Sequence, residues 1–373
     1  MYTVFILWIT LLPFISFAGA FEGPKVMWFW VGGLLLTLYH AVIVWQKKAS
    51  SIDPKLAIFS LWAAVLGASS VVGIHPVDSF LGGSYRHQGV LFFFTLILLA
   101  RVSKTLHQKQ LNVLYICGSV AGFVESVLVV YQSFVQRTGR PIGTLGEPNA
   151  VAGFLALSMY WIVCQRSYPI VLRTSVSILM AGGVLLTQSR AGIGMIVSIV
   201  VLYGIGRLFR TRFSAVKTGI ILGGISSVLL VGFVLYRSIT TVREVSQFEN
   251  RSMFFRVGVE EFMKRPFLGY GAESGEAVYD NHFARISMPL ADYMIDRSHN
   301  VFLDVALWSG AIGLLIFICW LVYSAYDIYK TQDFLRLSFI VGWVVFACVQ
   351  PVGVVHWVHL ILFLYIPAYK HEQ

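Results

Sequence analysis

Apolar runs of membrane-spanning length recur from one end of the sequence to the other, with short polar connections between them. A helix needs roughly 17 to 25 apolar residues to cross a hydrocarbon layer about 30 Å thick. The runs, some of them shorter than this, predict an all-α polytopic membrane protein of about twelve helices that fills residues 1–373 as a single membrane domain. We place these helices at 2–21, 26–46, 56–74, 89–100, 111–134, 148–164, 170–187, 193–206, 218–236, 298–323, 337–350 and 357–369.

The composition agrees with a membrane protein and excludes a soluble globule. Hydrophobic residues make up 57% of the chain and charged residues 12%, which leaves too little polar surface to face water. The first apolar run lacks the basic region of a signal peptide and another run follows at once, so we interpret it as the first span. The four cysteines lie in apolar runs without C-x-x-C spacing and predict neither disulfides nor a zinc site: Cys117, Cys164, Cys319 and Cys348.

The formal net charge of +10 is distributed according to the predicted topology. Fifteen of the 28 Lys and Arg lie in alternate connections on one face, and eight lie in one long connection, residues 237–297. Because basic short loops favour the cytoplasm, we expect both termini in the cytoplasm of a bacterium and the long connection outside the plasma membrane. Basic residues placed between spans indicate an anionic lipid ligand rather than nucleic acid. The other short connections carry five: Lys25, Arg86, Arg137, Arg140 and Arg190.

The long connection, 61 residues from 237 to 297, is where we expect the chemistry, because long loops in compact proteins are usually functional. Within it, the stretch "NRSMFFRVGVEEFMKRPFLGYGAES" predicts a short amphipathic helix up to Lys264, which Pro266 and two following glycines end. The connection therefore contains helical structure on the extracytoplasmic side.

One stripe of this predicted helix combines an arginine with apolar residues. At 100° per residue, Arg251, Phe255, Gly258 and Phe262 fall on the same face. We expect this face to lie on the membrane domain with the arginine at its outer end, and a solvated basic face is the alternative. Arg256 lies about 140° from Arg251, so the two arginines need not share a target.

Arg190 lies in the tight hairpin "LLTQSRAGIGM" between two predicted helices. An arginine this close to hydrocarbon needs a carboxylate, backbone carbonyls or an anionic ligand, and Gly192 and Gly194 permit close approach by a headgroup. Its planar guanidinium matches the geometry of a phosphate. The alternative is an interfacial arginine whose side chain reaches up to the headgroups.

The stretch "GRPIGTLGEPNAVAGFLAL" leads into a predicted helix with Pro148 in its first turn. The free amides of a helix N-terminus attract anions, and the glycines leave room for a large headgroup. Arg86, in "GGSYRHQGV", has a similar placement, with a salt bridge or a surface position as its alternative.

His299 stands at the start of a predicted apolar helix, in "DRSHNVFLDVALWSGAIGLL". On a continuous helix, Gly310 is rotated about 20° from the histidine and Gly313 about 40° to the other side. We expect this face to let a neighbouring helix approach closely and so to fix the rotation of the helix that presents the histidine. An ordinary interfacial histidine is the alternative.

Two acids fall within predicted spans, Glu125 and Asp304, and both a functional and an ion-paired structural role are open for them. On a helix, Asp304 lies about 140° from His299 and need not orient its imidazole. The long connection also collects acids and a histidine whose spacing resembles no metal motif, so we predict no metal. They are Glu273, Glu276, Asp280, His282, Asp292 and Asp296.

These motifs together resemble the O-antigen ligase and Wzy-type polymerase superfamily. "SHNVFLDVALWSGAIG" fits the pattern His-Asn, nine residues, Gly-x-x-Gly, and "QSRAG" is similar to the family's Ser-Arg-x-Gly hairpin. "RSMFFR…RPFLGYG" resembles its Arg-x-x-x-Trp-Arg segment followed by Pro-x-x-Gly-x-Gly. With "GTLGEPNAVAGFLAL" and "GGSYRHQGV", the likeness extends over residues 80–320. Phe255 replaces the usual tryptophan, and Glu147 stands where asparagine is expected.

The resemblance implies a GT-C-like membrane glycosyltransferase without a metal or other cofactor. It would move a glycan from undecaprenyl diphosphate to an acceptor hydroxyl on the extracytoplasmic face, as in the biosynthesis of lipopolysaccharide and other envelope polysaccharides. Carried over by position, Arg190 and Arg251 would bind the diphosphate, and His299 would serve as general base or orient the acceptor. The matching motifs imply further substrate-binding residues: Arg256, Asn300, Arg86, Ser189 and Asn149.

Other functions use similar sequence features. A lipid-linked oligosaccharide transporter also has about twelve helices and basic groups, but it should show a charged central cavity open to both faces. A scaffold protein of a polysaccharide complex would tolerate replacement of the arginines and the histidine. The acceptor stays open between a lipid core, a growing glycan and protein hydroxyls. The chain ends four residues after its last predicted span, which favours a polymerase or ligase over an O-oligosaccharyltransferase that acts on protein.

Overall fold

The computed structural model describes residues 2–17, 21–46, 53–83, 85–210, 251–286 and 295–367, and within these ranges it contains helices and no strand. The predicted all-α class is therefore confirmed. The helices are α1 (Tyr2–Leu11), α2 (Glu22–Gln46), α3 (Pro54–Val71), α4 (Pro76–Leu81), α5 (Val90–Ser103), α6 (Gln108–Phe134), α7 (Pro148–Cys164), α8 (Ile170–Leu186), α9 (Arg190–Arg210), α10 (Arg251–Lys264), α11 (Gly275–Arg285), α12 (Val301–Lys330), α13 (Phe334–Ala347) and α14 (Val354–Tyr365). A 3₁₀ turn, Leu12–Phe14, follows α1.

Most predicted segments coincide with a helix to within a few residues. The exceptions are the first, where Pro13 turns the chain into the 3₁₀ helix, and the tenth, which continues to Lys330 instead of ending at residue 323. Four helices are long and apolar enough to cross a membrane on their own: Pro54–Val71, Gln108–Phe134, Arg190–Arg207 and Val301–Lys330. The chain is thus a helical membrane protein, while the number of about twelve crossings stays a prediction. The segment predicted at 218–236 lies outside the described residues.

The basic residues divide the connections between the predicted helices into two groups. These two groups lie at opposite ends of the bundle. At one end, here called the basic end, Lys55 at the start of α3 forms an ion pair of 2.8 Å with Asp327 near the end of α12. Lys104, which follows α5, pairs with Asp53 at the same end. At the other end, here called the site end, the first residue of α2, Glu22, accepts a hydrogen bond of 3.1 Å from Val354 N at the start of α14.

Two short helices occupy the core of the bundle. All twelve residues of α14 are buried, and at 1.5 Å per residue the helix is about 18 Å long. The fourteen residues of α5 span about 21 Å by the same measure. Both end at the basic end, where Lys55 Nζ donates to Leu364 O over 3.3 Å and Lys104 follows α5. Both helices are therefore shorter than a hydrocarbon layer about 30 Å thick.

The helix α12 is broken at Gly310, which corrects the predicted continuous face. Gly310 has φ 66° and ψ −169°, a backbone conformation open almost only to glycine. His299 also precedes the helix, with φ 60°, so neither residue follows the helical rotation that the prediction assumed. Gly313 does face a neighbouring helix, since an added Cβ would lie 3.7 Å from Val65 in α3.

The break receives the segment that links α10 to α11. Tyr270 N donates to Leu307 O over 2.7 Å, Gly271 N donates to Trp308 O over 3.0 Å, and Ala311 N donates to Pro266 O over 2.7 Å. These bonds satisfy backbone groups that a break inside a buried helix would otherwise leave unpaired. We call the paired segments, 266–271 and 307–311, the interlock. It joins the Pro-x-x-Gly-x-Gly motif to the Gly-x-x-Gly motif.

Replacing Gly310 with alanine is expected to destabilise the protein by at least about 3 kcal/mol, because φ near 66° is strained for alanine and the new Cβ would collide with the carbonyl of Phe267. Thermal unfolding in detergent should show a lower Tm. Gly182→Ala, in α8, is the matched control, since an added Cβ there meets nothing within 4 Å. An equal Tm for both variants would contradict the role given to the break.

The face of α10 that packs on the bundle also differs from the prediction. Its buried residues are Phe254, Val257, Gly258 and Glu261, whereas Phe255 is 49% exposed. Gly258 sets this rotation, because an added Cβ there would lie 2.8 Å from the side chain of Leu303 in α12. The sequence offered two adjacent phenylalanines about 100° apart, and only the packing against α12 selects the first of them.

Candidate functional site

His299 lies in a turn whose neighbouring residues are all held by side-chain contacts. Asp296 forms an ion pair with the buried Arg86. Arg297 pairs with Glu273, and its guanidinium lies 4.2 Å from the centre of the Trp308 ring. The turn is therefore attached both to the loop before α5 and to the helix α12.

Ser298 and Asn300 hold the turn on either side of the histidine. The Asp304 carboxylate accepts hydrogen bonds from Ser298 N at 2.8 Å and from Ser298 Oγ at 2.7 Å. Asn300 caps α12, since its Oδ1 accepts from Phe302 N at 3.0 Å and from Leu303 N at 3.1 Å. Its amide also donates to Cys348 O over 3.2 Å. Asp304 thus holds the residue next to His299 and does not contact its imidazole through any of these bonds. The helical angle of about 140° between Asp304 and His299 could not predict this.

The imidazole of His299 is enclosed and uncharged near neutral pH. It stacks on Phe254, with ring centroids 5.6 Å apart and an interplanar angle of 22°. Burial lowers the pKa of His299 from 6.5 to about 4, and Arg251 and Arg86 lower it further while Asp296 opposes them. Its Nδ1 is buried and has no hydrogen-bond partner within the described ranges. A neutral imidazole in this position can accept a proton.

Arg251 is the first residue of α10 and belongs to a cluster of arginines. Burial lowers the pKa of Arg251, the positive charges of Arg190 and Arg140 lower it further, and Glu147 opposes this. The charges of Arg190 and Arg140 thus act on Arg251, and Arg251 in turn acts on His299. Such a concentration of positive charge suits an anion with more than one negative charge.

The hairpin between α8 and α9 holds Arg190 and Arg140 together. Arg140 Nε donates to Thr187 O over 3.3 Å, and Gln188 Nε2 donates to Gly139 O over 2.9 Å. Ser189 is buried, and its Oγ accepts from Gly192 N at 3.2 Å in the first turn of α9. Arg140 was not among the predicted site residues. The signals for it were its place among the basic residues of the outer connections and its position at the start of the stretch "GRPIGTLGEPNAVAGFLAL".

The predicted residue Arg86 lies in the loop before α5, and the predicted residue Asn149 lies in the first turn of α7. Arg86 is ion-paired with Asp296, and the carboxylates of Asp296, Glu22 and Glu147 raise its pKa even though burial opposes this. Asn149 Nδ2 donates to Glu147 Oε1 over 3.1 Å at the start of α7. The salt bridge that was the alternative for Arg86 is therefore present.

The predicted residue Arg256 points elsewhere. Its side chain is 82% exposed and forms an ion pair of 3.0 Å with Glu260, one turn further along α10. His282 of α11 lies 3.9 Å from the same carboxylate. The rotation of about 140° from Arg251 therefore separates the two arginines, as the sequence indicated.

Glu125 supports the loop that precedes α7. Its carboxylate accepts hydrogen bonds of 2.8 Å from Thr144 N and from Thr144 Oγ1. Lys25, fully buried in α2, donates to Thr144 O over 3.2 Å. These contacts give the intramembrane acid a structural task and hold the loop carrying Glu147 in one conformation.

The fold and the site define a class of protein. A helical membrane bundle carries, at one end, three arginines whose charges act on one another, and one of them, Arg251, acts on the half-buried and neutral His299. Among the described residues, no group of three or more His, Cys, Asp or Glu could hold a metal ion. The class is a helical membrane protein with a concentration of positive charge at one end, which would suit an anionic ligand.

Residues 175–318 match the model of a protein family described as O-antigen ligase. This match confirms the resemblance to the O-antigen ligase and Wzy superfamily, and it indicates a multi-pass bacterial membrane glycosyltransferase of the ligase or polymerase type. The matched part contains Arg190, Arg251 and His299, whereas Arg86 and Asn149 precede it. A comparison with curated protein sequences gives no match.

Proposed function

We propose that the protein transfers a glycan from undecaprenyl diphosphate to an acceptor hydroxyl at the site end, on the extracytoplasmic face of the plasma membrane. The observation that carries this proposal is that His299, stacked on Phe254 of α10, lies within reach of the charge of Arg251, the first residue of the same helix, which in turn lies within reach of Arg190 and Arg140. The family match supports the reaction type, and the donor and the orientation in the membrane rest on the chemistry of the site and on the basic loops.

The donor diphosphate binds to the arginine cluster. Guanidinium groups form paired hydrogen bonds with phosphate oxygens, and Arg190 and Arg251 are the first residues of α9 and α10, where a helix favours an anion. As the bond between the sugar carbon and the phosphate oxygen breaks, negative charge grows on the diphosphate. Arginines already in place stabilise that charge without reorganisation.

His299 takes the proton of the acceptor hydroxyl as that oxygen bonds to the sugar carbon. The imidazole is neutral before the reaction because burial and two arginines disfavour its charged form. Once the diphosphate is bound, its negative charge stabilises the imidazolium that forms. The reaction therefore needs the diphosphate-binding arginines and His299 at the same time.

The other predicted substrate-binding residues act indirectly in this proposal. Asn300 and Ser189 use their side chains to cap helices, Arg86 holds Asp296, and Asn149 holds Glu147. Arg256 is paired with Glu260 on the exposed side of α10. We propose that these residues keep the reacting groups in place rather than touch the diphosphate.

The pH profile of kcat/KM should lack the acidic limb typical of an ordinary histidine. Below its pKa an imidazole already carries a proton and cannot accept another, so activity falls as the pH drops through the pKa. With the pKa of His299 at about 4 instead of 6.5, we expect constant kcat/KM between about pH 8 and about pH 5. A limb centred near 6.5 in the profile of the free enzyme would contradict the enclosed imidazole.

Product analysis tests the function. The purified protein in proteoliposomes receives an undecaprenyl diphosphate-linked repeat, alone and with a lipid core or an acceptor protein, and the products are sized. A ladder formed from the repeat alone indicates a polymerase, one addition to the lipid core a ligase, and glycosylated protein an O-oligosaccharyltransferase. Movement of the donor across the bilayer without any glycan transfer would overturn the proposal in favour of a transporter.

A further inference from the structure

The interlock connects the two helices that carry the two halves of the proposed site. The helix α10 begins at Arg251 and ends just before Pro266, and α12 begins two residues after His299 and is broken at Gly310. The backbone bonds between residues 266–271 and 307–311 therefore join the C-terminal end of α10 to the C-terminal end of the first half of α12. Both of these ends lie away from the proposed site. Close packing of Gly258 on Leu303, at 2.8 Å for an added Cβ, aligns the two helices between these points.

At the proposed site, α10 contacts the turn that precedes α12 through a pair of stacked rings. Phe254 of α10 stacks on His299, and Tyr279 OH of α11 donates to Phe254 O over 2.8 Å. A change in how the two helices are joined at the interlock is therefore expected to alter the placement of Phe254 and Arg251 relative to His299.

A serine in α3 clamps the interlock from outside. Ser69 is fully buried, and its Oγ lies 2.5 Å from Trp308 O and also contacts Leu268 O. One hydroxyl therefore contacts both segments of the interlock. The ring of Trp308 carries the guanidinium of Arg297, two residues before His299. Next to Ser69, Ser70 Oγ accepts from Ala272 N at 3.1 Å.

We propose that Ser69 is a positioning residue that acts through the interlock to set the separation between Arg251 and His299. The catalytic part of this inference rests on the proposed glycan transfer, while the geometric part does not. The Ser69 hydroxyl contacts carbonyls of two different segments, whereas Ser103, also in a helix, donates from its Oγ to Leu99 O of its own helix over 2.7 Å.

The test is the nearly isosteric Ser69→Ala, with Ser103→Ala as the matched control. The ring signals of ¹³C-labelled histidines are recorded by NMR, and the signal of His299 is identified by its loss in His299→Gln. We expect Ser69→Ala to shift this signal, because the stacking on Phe254 changes, and Ser70→Ala to shift it less in the same direction. Ser103→Ala should leave it in place.

Kinetics supply the second measurement. We expect Ser69→Ala to lower kcat about tenfold with little change in the KM for the donor, since a misplaced base slows the chemical step while the arginines still bind the diphosphate. An unmoved His299 signal in Ser69→Ala would overturn the positioning role, whatever the transfer assay shows. If the unsubstituted protein transfers no glycan, the proposed function fails, and the NMR signal alone still decides the geometric inference.

Discussion

His299→Gln is expected to lower kcat/KM for glycan transfer by about 10²- to 10⁴-fold, the range typical of losing a general base. The glutamine side chain cannot take the acceptor proton, although it fills a similar volume beside Phe254. The KM for the donor should change little, because the arginine cluster stays intact. The measurement is steady-state transfer with the donor and acceptor found by product analysis.

His75→Gln is the matched control for this substitution. His75 lies at the site end, precedes α4, is exposed, and makes no side-chain capping bond. It should retain the activity of the unsubstituted protein. A His299→Gln variant that is folded and as active as His75→Gln would exclude a role for the imidazole in proton transfer.

Arg251→Gln is expected to lower kcat/KM by about 10²- to 10³-fold, because it removes a charged donor from the growing charge on the diphosphate. Arg190→Gln should have an effect of similar size. Because both act on the same leaving group, the double variant should lose less than the product of the two single losses. Binding of undecaprenyl diphosphate to the purified protein, measured in parallel, should weaken in each variant.

Two other arginines provide the comparison. Arg137→Gln changes an exposed residue of an outer connection and should leave the transfer rate unaltered. Arg256→Gln, on the same helix as Arg251, should lose far less than Arg251→Gln, since its side chain is exposed and paired with Glu260. A larger loss for Arg256→Gln than for Arg251→Gln would reverse the assignment of the diphosphate site.

Helices and candidate site residues could be predicted from the sequence where a local rule applied. The apolar runs predicted most helices, because spanning a membrane imposes a length that is visible in the pattern alone. The basic residues of alternate connections predicted which loops share an end of the bundle, and contacts such as Lys55 with Asp327 agree with that grouping. Arg190, Arg251 and His299 were identified because each stands in a motif with a recognisable spacing.

The glycines of the histidine motif show where local rules failed. A rotation of 100° per residue assumes an unbroken helix, and Gly310 breaks it. The sequence of residues 298–323 does not predict the break, because a glycine such as Gly310 is also common where two membrane helices pack closely. The reason lies elsewhere in the chain, in the backbone of residues 266–271, which can pair with α12 only if the helix opens there.

By itself, the sequence determined that this is a helical membrane protein with a conspicuous histidine and arginines at one end, because hydrophobic length and charge placement act locally along the chain. The tertiary structure decided how these residues work together. It selected Phe254 rather than Phe255 to face His299, brought Arg140 to Arg190, and used Asp304 and Asn300 to hold the turn around the imidazole. Each of these depends on contacts between residues far apart in the chain, or on which of several faces a helix buries, and that choice is made by packing.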